Sequence, residues 1–353
     1  MTPRNTVCYF GIYDPQFGRN RVYQSGLRAQ GVTVLECRDT SRGFLKFWRL
    51  WRKHGALRGK YDALVVGYPG HLVVPLARLI SRKPVIADML GSLADAEAHS
   101  HKTSIVRRVE SALIDRLALW CADVVLLESE AQRQYFQKRY GASEKYRVLY
   151  TGADEAVFTC DGLTRDETFT VLFRGRLTGE SGILHILRAA LLLKGDKSIR
   201  FRVLGSGQLF SETKAFITKH DLTSVELVQA QLPPDTLREK MCGASLALGQ
   251  FEQNPRLSRT IPHKAFEALA LGIPYLTGDA PAIREIAEDG VSCFLVPLAD
   301  PAALAKKILV LAGDPTLCAH VGEAGRQVFE KRFSASALGA ELVQILRAAR
   351  GAD

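Results

Sequence analysis

Long uninterrupted apolar runs are missing from this chain. The longest apolar stretch, residues 63–80, is broken by Gly67, Pro69, Gly70, His71, Pro75 and Arg78. It therefore reads as strand, turn and helix and not as a membrane span. The opening MTPRNTVCYFGIYDP is too short and too interrupted in its apolar part for a secretory signal. Cysteine is scarce and scattered. Cys8, Cys37, Cys121, Cys160, Cys242, Cys293 and Cys318 form no C-x-x-C pair, which leaves no metal-site spacing. Their odd number and apolar surroundings predict buried thiols in a reducing compartment. Low-complexity tracts and short repeats are absent too. With 47% hydrophobic and 24% charged residues, the chain is neither disordered nor fibrous. These absences place it in the cytoplasm, or on the cytosolic face of the inner membrane as a peripheral protein.

Positive charge is present and unevenly placed. Lys and Arg number 47 against 37 Asp and Glu, a formal net charge of +10. Residues 1–152 hold 24 basic and 13 acidic side chains (24 − 13 = +11), and residues 153–353 hold 23 and 24 (23 − 24 = −1). The first half should therefore meet something anionic: a lipid surface, a nucleic acid or a phosphorylated substrate. No RNA-recognition motif or helix-turn-helix pattern accompanies the charge, which argues against nucleic acid.

Short apolar runs alternate with amphipathic helical segments along the 353 residues. Strands are expected at 6–12, 32–37, 63–66, 85–88, 124–128 and 146–150. After an interruption at 151–158, they resume at 169–174, 200–204, 225–227, 246–249, 275–277 and 293–296. Such runs suit parallel strands buried on both faces, so the fold class is α/β: two doubly wound Rossmann-like domains facing a cleft. The expected domains are 1–155 and 156–334, with 335–353 a final helix.

Three motifs in the second half suit a nucleotide diphosphate. In FRGRLTGESGI (173–183), Arg174 and Arg176 flank Gly175 at a strand end, where ligands of such sheets bind. Guanidinium groups pair bidentately with phosphate, though the same residues suit a salt-bridged surface loop. GSG, Gly205 to Gly207, follows the next strand, where small residues admit a ligand close to the backbone. The third glycine of a dinucleotide fingerprint is replaced by Phe210, which counts against an NAD enzyme. In RTIPHKAFEALALGIPYLTGD (259–279), Thr260 and Pro262 suit a helix start and Gly272 a stop. The free N–H groups of the first turn would attract phosphate. Lys264 in that turn opposes the dipole unless an anion is bound, and Glu267 stands one turn on, within reach of a ribose. An ordinary amphipathic helix is the alternative.

In the first half, FLKFWRLWRKH (44–54) places Phe44, Phe47, Trp48 and Trp51 within an arc of about 100°, backed by Lys46, Arg49 and Lys53. This suits an anionic membrane face. It equally suits a helix packed on its own sheet.

These motifs together resemble the retaining glycosyltransferases of the GT-B fold, group 1 or family 4 class. RGRL with a downstream GI is similar to that family's phosphate loop, and PHKAFEALALGIP to its nucleotide helix. YTGADEAVF is similar to its linker, and VSCFLVPLADPAALA to its strand–turn–helix. The resemblance implies a nucleotide-diphosphate sugar as donor substrate, with neither cofactor nor metal. It also implies a glycan or lipid-linked acceptor on the first domain, in cell-envelope or surface-polysaccharide assembly. It assigns the donor to Gly18, Arg19, Arg174, Arg176, Gly205, Gly207, Arg259, Ile261, His263, Lys264 and Glu267, with Asn20 beside the glycine-loop pair. Asp88, Arg176 and Lys264 are the implied catalytic set. Asp88 stands where the family often has a histidine, a place that His99 or His101 could also supply; a helix cap or salt-bridge partner is the alternative for Asp88. Two positions depart from the family: Ser181 replaces its usual Lys, and Arg259 its first Glu. A sugar epimerase or hydrolase on the same fold, or a non-catalytic nucleotide-sugar binder, is the competing expectation.

Overall fold

The computed structural model describes residues 5–98, 104–229 and 234–351. The chain divides into two compact units, one made of residues 1–154 and 333–353, the other of residues 155–332.

The first unit runs β1 (Thr6–Gly11), α1 (Gly18–Ala29), β2 (Thr33–Arg38), α2 (Leu45–Gly55), β3 (Ala63–Val66), α3 (Val74–Ile80), β4 (Val85–Leu90), α4 (Leu93–Ala98), α5 (Ile105–Cys121), β5 (Val124–Leu127), α6 (Glu130–Tyr140) and β6 (Tyr146–Val148). Its sheet order is β2-β1-β3-β4-β5-β6, parallel throughout. The strands are nearly all-apolar because helices cover both faces. One core, around Phe10, Leu64 and Val85, lies under α2, α3, α5 and α6. The opposite core, around Tyr9, Val65 and Ile86, lies under α1 and the last helix of the chain.

The second unit runs β7 (Phe169–Arg176), α7 (Ile183–Leu192), β8 (Ile199–Ser206), α8 (Phe210–Lys219), β9 (Val225–Val228), α9 (Pro234–Cys242), β10 (Leu246–Leu248), α10 (His263–Ala270), β11 (Tyr275–Gly278), β12 (Phe294–Val296), α11 (Pro301–Ala312) and α12 (Pro315–Arg332). The final helix, α13 (Ala335–Arg350), packs on α1 of the first unit, where Gly26 and Gly339 meet backbone to backbone. A side chain at either glycine would collide with the other helix.

The second sheet has the order β12-β11-β10-β7-β8-β9, again all parallel. Counted within the unit this is the doubly wound order 3-2-1-4-5-6. The direction of winding reverses between β7 and β10, and a crevice opens there at the strands' carboxyl ends. Two strand tips carrying FRGR and LGQ therefore frame the place where a ligand fits.

The expectation of seven free thiols needs correction. Cys160 and Cys242 are joined, with Cα atoms 5.5 Å apart, while the other five are buried thiols. The bond ties the segment entering the second unit to the end of α9. Sequence spacing could not disclose it, because the partners lie 82 residues apart. No helix among the described residues is long and apolar enough to cross a membrane.

Candidate functional site

The apolar run TVLF carries β7 into the core, and the strand then emerges as Arg174-Gly175-Arg176. Gly175 has φ +151°, a backbone setting that favours glycine, and a Cβ there would stand 3.0 Å from Lys264 Nζ. The glycine thus makes room for the lysine. Lys264 lies over the Phe173 ring, its Nζ 3.9 Å from the centroid. Arg174 is ion-paired with Glu267 and faces the Phe158 ring at 5.9 Å. Arg176 is exposed at the tip and pairs with no carboxylate among the described residues.

Helix α10 brings the other half. Its N-cap is Pro262, without a side-chain capping bond and with no acidic residue in the first turn. Thr260, expected as a cap, instead ends the one-turn helix Leu257–Arg259. Ala265 N–H donates to the Pro262 carbonyl at 2.9 Å, and the helix dipole adds positive potential at this end. Burial pushes Lys264 down to about 7; Glu267 pulls it up, and Arg174 lowers it further. A lysine held this way regains its proton when an anion arrives.

Two cavities flank this helix start. One of about 330 Å³ is lined by Gln250, Ser258, Thr260, Pro262 and Thr277 among others. The other, of about 270 Å³, includes Arg174, Lys264 and Glu267. The structure therefore brings Arg174, Lys264 and Glu267 together, with Arg176 at the adjacent tip. Gln250, Thr277, Phe158 and Phe173 were not singled out from the sequence. The rule that ligands sit past strand ends could have found Gln250 and Thr277, since each lies at or just past the end of a strand.

Several expected donor residues have other employment. A Cβ at Gly205 would lie 2.4 Å from the Gly175 carbonyl oxygen, and one at Gly207, where φ is +148°, 2.5 Å from that of Leu177. These glycines let β8 pack against the end of β7. Ile261 is buried and His263 opens α10 half-buried. Arg259 lies in the turn before that helix. Ser181 donates its Oγ hydrogen to the Thr178 carbonyl at 2.7 Å, so the family's lysine position supplies no cation.

In the first unit, Arg19 and Asp88 find each other. Both are fully buried, and Arg19 Nε and Nη2 each lie 2.9 Å from the carboxylate. Nη1 donates to the Leu149 carbonyl and to Thr151 Oγ1. Burial alone would lower the Arg19 pKa, but Asp88, with Tyr23 and Glu128, more than offsets it and the net shift is upward. Arg19 as a donor contact and Asp88 as an acceptor-side acid are thus corrected: each is spent on the other. Asn20 is likewise occupied, donating to the Asp14 and Tyr68 carbonyls and accepting from Tyr9. Gly18 starts α1, whose N-terminus has no side-chain cap. His99 and His101 lie outside the described residues. The histidine brought to the end of β4 is His71, fully buried, donating from Nε2 to the Gly91 carbonyl at 2.9 Å. On α2, Phe44, Trp48 and Trp51 are exposed, whereas Phe47 packs partly against the core and leaves the expected outer face.

Residues 168–314 match the family described as glycosyl transferases group 1. The chain is 25% identical over 264 residues to alpha-maltose-1-phosphate synthase of Mycolicibacterium smegmatis, covering 67% of this chain and 66% of that protein. It is 26% identical over 237 residues to a putative colanic acid biosynthesis glycosyltransferase of Escherichia coli, covering 64% and 57%. The matched region spans less than two thirds of these curated relatives. Among solved structures, Anabaena HepE in complex with UDP superposes with TM-score 0.72 at 17% identity, covering 98% of this chain and 100% of that one. Sucrose-phosphate synthase of Thermosynechococcus elongatus gives 0.77 at 16%, covering 99% and 100%. The two doubly wound domains are the GT-B fold. That fold is shared with the solved structures, and the group 1 match falls within the second unit.

Proposed function

We propose that this chain transfers a sugar from a nucleotide-diphosphate donor, held on the second unit, to a glycan or lipid-linked acceptor in cell-envelope or surface-polysaccharide assembly. The observation that carries the reading is the convergence of Arg174, Lys264 and Glu267 at the β7 tip and the uncapped start of α10. HepE, a protein of the same fold, is named in complex with UDP-glucose, and relatives are named for colanic acid and capsular polysaccharide synthesis.

The chemistry follows from charge. Breaking the bond between sugar and diphosphate builds negative charge on the leaving group. Lys264, Arg176 and the positive end of the α10 dipole meet that charge without a metal, and fixed cations in a partly dehydrated site stabilise it more than water would. Arg174 exchanges Glu267 for phosphate, and Glu267 then accepts from the ribose hydroxyls. Lys264 takes the role that Ser181 leaves vacant. Attack from the departing side gives retention of configuration.

The test is a thermal-shift panel of UDP, GDP and ADP and their sugars, followed by acceptor-dependent turnover with and without chelator. Stabilisation by one diphosphate series, turnover only with acceptor, and an α-linked product from an α-linked donor support the reading. Donor consumption without acceptor would instead favour the hydrolase or epimerase, and binding without any turnover the non-catalytic partner.

A further inference from the structure

The chain has three tryptophans, and all three are exposed on one side of the first unit. Trp48 and Trp51 on α2 are 52% and 55% exposed, and Trp120 at the end of α5 is 79% exposed. Tryptophan is large and usually well buried, so three exposures on one face require a reason.

Helix α5 supplies the rest. Its inward side carries Asp115, Ala118 and Leu119. Its outward side carries Ile105, Val106, Val109, Leu113, Leu117 and Trp120, all exposed. At 100° per residue these six fall within an arc of about 120°, opposite the buried side. A helix apolar on both faces is covered on both in its working state. Helix α3 packs between α5 and α2, and all three lie over the same core, so their outer surfaces belong to one face. Phe44 and Leu45 on the α2 side and Leu79 on α3 extend the apolar surface.

The charge around it has one dominant sign. Residues 42–60 hold seven Lys and Arg and no Asp or Glu. On α5, Arg116 stands within the apolar arc, and Arg107 and Arg108 stand exposed beyond its edges against one exposed acid, Glu110; Arg82 and Lys83 follow α3. Arg52 lies over the Trp48 ring at 5.2 Å, an arrangement that keeps a cation beside an aromatic group at a water boundary.

We propose that the outer face of α2, α3 and α5 seats this protein on an anionic lipid bilayer, with Trp48, Trp51 and Trp120 at the headgroup level and the flanking arginines on lipid phosphates. Tryptophan belongs at such boundaries, and a basic rim around an apolar surface fits anionic headgroups. A second copy of the chain fits poorly, because two strongly basic faces would meet. The seat extends α2's single-helix face to α5, and it stands apart from the transferase reading.

The test is co-sedimentation of the full chain with vesicles of phosphatidylcholine alone and of phosphatidylcholine with phosphatidylglycerol, read alongside tryptophan emission. Binding to the anionic vesicles with a blue shift, weakening with salt, is expected. The combined L113Q, L117Q and W120Q substitutions should weaken it at least about tenfold, and R107E, R108E and R116E comparably. All six side chains are exposed, so thermal unfolding should match that of the parent. Absence of binding by the parent chain, or unchanged binding by both folded variants, would overturn the proposal. So would light scattering that shows a dimer dissolved by the same substitutions.

Discussion

The two units place an arginine at equivalent risk and resolve it in opposite ways. Arg19, on the helix after β1, is wholly buried, and each nitrogen has an oxygen within reach. Arg174, at the tip of β7, is partly exposed and paired with one carboxylate, Glu267, beside a lysine that has lost much of its affinity for a proton. A closed ion pair holds a fold together; an open one has something to exchange. The doubly wound architecture thus gives one unit a closed ion pair and the other an open one.

Breaking the closed pair should have the largest effect. Asp88→Ala strands Arg19 in the core, and unfolding by urea should show a loss of about 3–5 kcal/mol. A loss under about 1 kcal/mol would mean the interior tolerates the charge and the contrast fails. Gly207→Ala should come next. Its Cβ would meet the Leu177 backbone at 2.5 Å, and a cost of about 1–3 kcal/mol is expected in the same assay. If stability held and only nucleotide binding fell, the glycine would be a ligand contact after all. Arg176→Ala should do the reverse. Calorimetry should show nucleoside diphosphate affinity lower by about tenfold or more, with stability within about 0.5 kcal/mol of the parent.

The smallest effect is a pH slope. Folding lowers Lys264 from its ordinary value of 10.5 to about 7. Between those values the unfolded chain binds a proton that the folded chain does not, so this residue makes stability rise with pH. Lys264→Met should flatten the slope of unfolding free energy between pH 7 and 9; an unchanged slope would place the lysine in water.

Much of the fold was legible because its signals are local. Twelve short apolar runs became twelve strands, each within a few residues of expectation, since a strand buried on both faces must be apolar along its length. The clustering of Arg174, Lys264 and Glu267 was legible because two motifs, a strand tip and a helix start, each point at phosphate. Arg19 and Asp88 were misread because their pairing spans 69 residues and no local pattern records it. The packing role of the GSG glycines went unread for a related reason: close approach to a neighbouring strand and close approach to a ligand ask for the same residue. The outer stripe of α5 went unread because an apolar helix surface looks like core until its neighbours are known.

The central claim is that a diphosphate lodges against Lys264 at the mouth of α10. Titration calorimetry of UDP at pH 8, in buffers of different ionisation enthalpy, measures the proton taken up on binding. The free lysine is largely neutral at that pH, while the phosphate, with a second pKa of about 6, is already ionised. The account predicts an uptake approaching about one proton per site, lost in Lys264→Met. Binding with no proton uptake in the parent chain would contradict it.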